Sequence, residues 1–112
     1  MAGSVLVVNK HKYKGQFIYI GRGSVFGNRH PVSMGRIECI KAFKQDLRED
    51  IALGGPMFKE LAVLIRRVAA GESVALGCFC KPQACHGDIL KEYIDYAVIL
   101  LRGLVDADNI NR

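Results

Sequence analysis

Val74-Ala75-Leu76-Gly77-Cys78-Phe79-Cys80-Lys81-Pro82-Gln83-Ala84-Cys85-His86-Gly87-Asp88 is the stretch on which the fold turns. An apolar run opens it, Lys81-Pro82 interrupts it, and an apolar-periodic segment follows from Ile89. That pattern is a buried strand handing over to a helix. Val74 to Cys80 reads as strand. Cys85 to about Arg102 reads as helix, with Ile89, Leu90, Tyr93, Ile94, Ala97 and Leu101 facing the core and Gly103 as its stop. Three of the four cysteines and one of the three histidines lie between residues 78 and 86. In open α/β sheets this edge is where ligands bind, so the turn is also the first candidate for chemistry.

Upstream, Ser4 to Asn9 is a Val-rich run and reads as a buried strand. Lys10 to Gly15 is a basic turn, and Gln16 to Ile20 is a second strand ending at Gly21. Residues 21–35 hold four glycines and Pro31, the composition of a structured loop. From Ile37 the period becomes helical, with Ile40, Phe43, Leu47 and Ile51 on the same face. Gly54-Gly55 breaks that helix, Pro56 suits the first position of the next, and Gly71 caps it after Phe58, Leu61, Leu64, Ile65 and Val68. The order is β-β-α-α-β-α. It predicts a small Rossmann-like three-layer α/β domain with a mainly parallel sheet, spanning 1–112 as one unit with a peripheral tail at 104–112. A fourth short pairing within residues 23–35, or a homodimer, would complete so small a sheet.

With 112 residues and half of them hydrophobic, the chain is globular and large enough for one core without staples. The apolar runs are too short and too charged to span a bilayer, and no secretory leader opens the chain. A cytoplasmic protein with free thiols is expected. The net charge of +5 is unevenly spread: Lys10, Lys12, Lys14, Arg22, Arg29 and Arg36 lie in a first third that has no Asp or Glu. Such a field favours an anionic partner, or serves only solubility.

Two motifs carry chemistry. Gly21-Arg22-Gly23-Ser24-Val25-Phe26-Gly27-Asn28 is a glycine-rich loop whose backbone N–H groups can approach a phosphate, with Arg22 and Arg29 as anion forks and Ser24 and Asn28 as neutral donors. It is neither a Walker loop nor a dinucleotide fingerprint, and its glycines can equally serve turns. The Cys/His turn has three readings. Cys78, Cys80, Cys85 and His86 form a zinc-type ligand set, although within nine residues the geometry is demanding. Alternatively Cys85, at a helix N-terminus, is a favoured thiolate with His86 as acid or base and Asp88 orienting it. In the third reading Cys78 and Phe79 are core, Pro82 shapes the turn and Asp88 caps the helix. No cofactor is named by these residues.

Tyr19-Ile20-Gly21-Arg22 with Ser24 and Phe26-Gly27-Asn28, followed by Cys78, Cys80, Pro82, Cys85-His86, Asp88 and Leu90, resembles the domain-of-unknown-function 4326 family of small bacteriophage and bacterial proteins. The resemblance spans residues 5–100 and implies an α/β domain whose two motifs converge on one site. Two positions depart: the family usually has Pro where this chain has Gly23, and Asn-Pro-Phe where it has Asn28-Arg29-His30-Pro31. The resulting expectation is a protein that binds a nucleotide-like or phosphorylated ligand. Gly21, Arg22, Ser24, Gly27, Asn28 and Cys80 would bind it, and Cys85, His86 and Asp88 would be catalytic if it is an enzyme of nucleotides or modified bases. The alternative is a phage protein that binds a host protein or nucleic acid, with the Cys/His cluster as a structural, zinc-type staple. A phage-encoded protein would act in the host cytoplasm.

Overall fold

Val5–Asn9 forms β1, as branched Val side chains suit extended backbone. The computed structural model describes residues 2–110, with side chains described as far as residue 103. After β1 come β2 (Ile18–Tyr19), a 3-10 turn (Val32–Met34), α1 (Arg36–Leu53), α2 (Pro56–Ala69), β3 (Val74–Cys78) and α3 (His86–Ile110). The sheet order is β1-β3-β2 with both pairings parallel. Central β3 is buried at every residue, which is why it reads as an unbroken apolar run. Val5 pairs with Val74 and Asn9 with Cys78 on one side. Ile18 pairs with Leu76 and Tyr19 with Gly77 on the other.

Two strands are shorter than their sequence suggests. β2 keeps only Ile18 and Tyr19, and Phe17 before it lies across the sheet over Gly77, where a Cβ would collide with its ring. β3 stops at Cys78 because β1 ends at Asn9, and the Asn9 side chain then takes over from the ladder. Its Nδ2 donates to the carbonyls of Phe79 at 3.4 Å and Lys81 at 2.9 Å. Among the described residues no fourth strand forms between 23 and 35; that segment makes turns and the 3-10 helix.

The helices follow their apolar stripes. α1 buries Cys39, Phe43 and Leu47, with Ile40 and Ile51 half-buried beside them. Ile37 falls off that face and is exposed. α2 buries Leu61, Leu64 and Val68, while Phe58 stays exposed at its first turn. Gly54 takes the left-handed conformation that ends α1 (φ 63°). After α2, the N–H groups of Gly71 and Glu72 close back on the carbonyls of Val68 and Arg67, each at 3.0 Å. α3 buries Ile89, Leu90, Ile94 and Val98. It does not stop at Gly103 but runs on to Ile110. The expected peripheral character of residues 104–112 lies outside the described side chains.

The layering differs from expectation. α3 packs on β1 and β3, and α1 and α2 pack on α3 and on each other, so the helices gather on one sheet face. On the opposite face Phe17 lies over Gly77 and Leu6 is exposed at 52%. The domain is therefore a two-layer α/β arrangement. A third layer needs a helical crossover on the second face, and the β1–β2 connection is too short to supply one.

Candidate functional site

β2 and β3 end side by side, and beyond their C-terminal ends lies a cavity of about 220 Å³. Both sequence motifs reach it. From the β2 side come Tyr19, Gly21, Arg22, Asn28 and His30; from the β3 side come Cys78, Phe79, Cys80, Ala84, Cys85 and His86. The wall between them is the 3-10 turn and the start of α1, through Val32, Arg36, Cys39 and Ile40. No Asp or Glu is among these residues. The cavity thus meets the first turns of α1 and α3, whose free N–H groups give it positive character.

The Cys/His turn is seated deep. His86 is 8% exposed, donates from Nε2 to the Ile20 carbonyl at 2.6 Å, and meets the Phe43 ring edge-on at 4.9 Å. Burial pushes its pKa below the ordinary histidine value, against the pull of backbone hydrogen bonding to Ile20 and Phe26. Cys85 is also buried, with its Sγ 3.2 Å from that of Cys78. Burial and the Cys78 thiol push the Cys85 pKa up to about 12. The favoured thiolate expected at this helix start is therefore absent: desolvation outweighs the helix dipole. Cys80 does not share a strand face with Cys78, since β3 has ended; it sits half-buried at the cavity wall.

Asp88 does not orient His86. Its Oδ2 accepts from the Cys85 backbone N–H at 3.1 Å and its Oδ1 pairs with Lys81. A carboxylate in the first turn bonding back to the residue before the helix is half of a capping box. Asp88 lies outside the cavity lining. Among the described residues no three His, Cys, Asp or Glu side chains are grouped to hold a metal ion, so the zinc-type staple has no matching geometry.

The glycine-rich loop is built around its own backbone. Ser24 Oγ donates to the Gly21 carbonyl at 2.7 Å, and Gly27 packs against that same carbonyl, so both shape the loop from outside the cavity. Asn28 faces the cavity but is committed: Nδ2 donates to the Cys39 carbonyl at 3.1 Å and Oδ1 accepts from the His30 N–H at 3.0 Å. Arg29 turns away into a two-pronged pair with Asp46, both contacts 3.0 Å, and His30 joins it at 2.8 Å. The Arg29 guanidinium holds the Asp46 carboxyl below its usual range, with burial opposing and His30 assisting. Arg22, also exposed, is the loop arginine that lines the cavity. Gly23 has φ 91°, a conformation closed to the Pro that the family usually places there.

Sequence reasoning missed Arg36. It lines the cavity and its Nη1 donates to the Ala84 carbonyl at 3.0 Å, linking α1 to the Cys/His turn. A signal was present: a cation in the first turn of a helix opposes the dipole, so it needs another reason to be there. Tyr19 and Phe79, the aromatic wall, lie within the quoted motifs, where the apolar pattern marks them as strand and core.

Fold and site together define a small parallel α/β domain with an acid-free cavity at the carboxyl ends of its strands. The chain belongs to the family described as a domain of unknown function (DUF4326), whose model matches residues 7–96. It is similar to the "Uncharacterized 12.4 kDa protein in nrdA-td intergenic region" of Enterobacteria phage T4, with 34% identity over 101 residues that cover 80% of this chain and 76% of that protein. No solved structure matches it.

Proposed function

We propose that this protein binds a nucleotide-like or other phosphorylated small molecule in the cavity between β2 and β3. The observation that carries the reading is the lining itself: the cations Arg22 and Arg36, the aromatic rings of Tyr19 and Phe79, and no carboxylate among them. Guanidinium groups match phosphate oxygens, and aromatic rings match a base or another flat ring. At about 220 Å³ the cavity is smaller than most drug-sized sites, so it suits a mononucleotide or a part of one rather than a dinucleotide. The kinship with a phage protein supports action in the cytoplasm of an infected host. No helix among the described residues is long and apolar enough to cross a membrane.

The test is thermal melting against a panel of nucleosides, nucleotides and inorganic phosphate. A ligand at a hundredfold excess over its Kd stabilises by about 2.7 kcal/mol, about 10 °C or more in a domain this size. Arg22→Ala and Arg36→Ala should each reduce the shift while keeping the fold. A panel without any shift, or a shift that survives both substitutions, would refute the cavity reading.

A second reading has an observation of its own. Cys78, Cys85 and His86 are buried against each other and the core, which supports a structural role for the turn beside the ligand site. Under it the Cys/His turn sets the shape of the cavity floor, and Cys80 is the least buried of the four cysteines that line it.

A further inference from the structure

Next to the cavity mouth, the β1–β2 connection and the end of β3 form an aromatic and basic surface. Phe79 is 53% exposed although it follows a fully buried strand. Its ring is flanked by His11, with centroids 5.1 Å apart, and by Tyr19, edge-on at 6.2 Å. Lys10 Nζ stands 4.7 Å from the Phe79 centroid and 4.8 Å from that of Tyr19. Lys12, Lys14 and Arg22 are exposed nearby in sequence, and the first 37 residues contain no acid to neutralise them. The Asn9 side chain holds the carbonyls of Phe79 and Lys81, and the Lys10 N–H donates to the Cys78 carbonyl at 2.9 Å, so the ring is presented on an ordered support.

We propose that this surface binds single-stranded nucleic acid, with an unpaired base stacked on Phe79 and the phosphates drawn to Lys10, Lys12 and Lys14. An exposed ring beside lysines matches both halves of a nucleotide at once: a flat base and an anionic backbone. A duplex hides the base faces, so it offers Phe79 nothing to stack on. An acidic polypeptide satisfies the lysines but leaves the ring unmatched. The inference goes beyond the cavity reading: Lys10, His11, Lys12 and Lys14 lie outside the cavity lining, while Phe79 and Tyr19 border both.

The experiment is fluorescence anisotropy of a labelled oligodeoxythymidine of about 12 nucleotides with the full chain. Binding is expected at low salt, with log affinity falling against log salt at a slope of about −2 to −3 for three to four phosphate contacts. Phe79→Ala should weaken binding about fivefold to a hundredfold without changing that slope. Phe79→Leu, which keeps apolar bulk and loses the ring, should do the same and guards against a folding defect. Lys12→Ala combined with Lys14→Ala should flatten the slope. Absence of binding at low salt overturns the proposal, as does undiminished binding by both Phe79 variants. Equal affinity for a duplex of the same length also overturns it, and competition by polyglutamate as effective as by the oligonucleotide reassigns the surface to an acidic protein. Phe79 and Tyr19 also line the cavity, so the Lys12 and Lys14 substitutions, outside that lining, separate the two readings: they should weaken oligonucleotide binding and leave mononucleotide melting shifts unchanged.

Discussion

Cys85 and Cys80 are five residues apart and chemically opposite. Cys85 has the helix start that favours a thiolate, yet its Sγ is enclosed with Cys78 and its pKa is pushed up to about 12. Cys80 has no regular element around it and keeps access to the cavity. Alkylation with iodoacetamide followed by mass spectrometry should therefore modify Cys80 first. Cys39, Cys78 and Cys85, all buried, should react only after denaturant is added. Early modification of Cys85 would contradict the enclosed thiol pair. Arg22 and Arg29 make the same point for charge: seven residues apart in one loop, they are divided in space, Arg29 held by Asp46 and Arg22 left at the cavity.

At the scale of elements, the structure is joined by short links that each satisfy helix ends. Asp50, near the end of α1, accepts from the first N–H groups of α2: Phe58 at 2.7 Å and Met57 at 3.3 Å. One side chain thus closes one helix pair where Gly55 offers no cap of its own. Asp50→Ala should destabilise the fold by about 1 kcal/mol, measured by urea denaturation. An unchanged midpoint would show that solvent serves those N–H groups equally well. Asp88 plays the corresponding role for α3. The β3–α3 link is held from a third element, because Asn9 of β1 binds the carbonyls that β3 can no longer pair.

For the whole molecule, stability should depend on pH through His86. The folded state holds this imidazole in a buried site and depresses its pKa below the ordinary 6.5. Above that value both folded and unfolded chains are neutral here, and the full stability is present. Below it the unfolded chain takes the proton first, so stability falls as pH decreases. Thermal melting between about pH 7 and pH 5 should show this loss, and His86→Asn should flatten it. Asp46, whose pKa is lowered from 3.8 mainly by Arg29, contributes stability that is lost only below that value, so the two windows are separate. A flat melting profile across the first window would mean that His86 is protonated as readily in the fold as in the open chain.

The amino-acid pattern by itself determined the element order, the helix faces through Phe43, Leu47, Leu61, Leu64, Leu90 and Ile94, and the parallel character of the sheet, because burial periodicity and breakers such as Gly54-Gly55-Pro56 are local properties. It also marked both motifs that meet at the cavity. Tertiary structure decided what those motifs are. The side layers, the short β2 and the early end of β3 depend on which strand lies beside which. The roles of Asp88, Asn28 and Arg29 depend on partners 3 to 17 residues away that only the folded chain brings to them. The fate of Cys85 was beyond sequence for the same reason: a helix start is visible in the residues, but the desolvation that overrides it is set by everything packed around the sulfur.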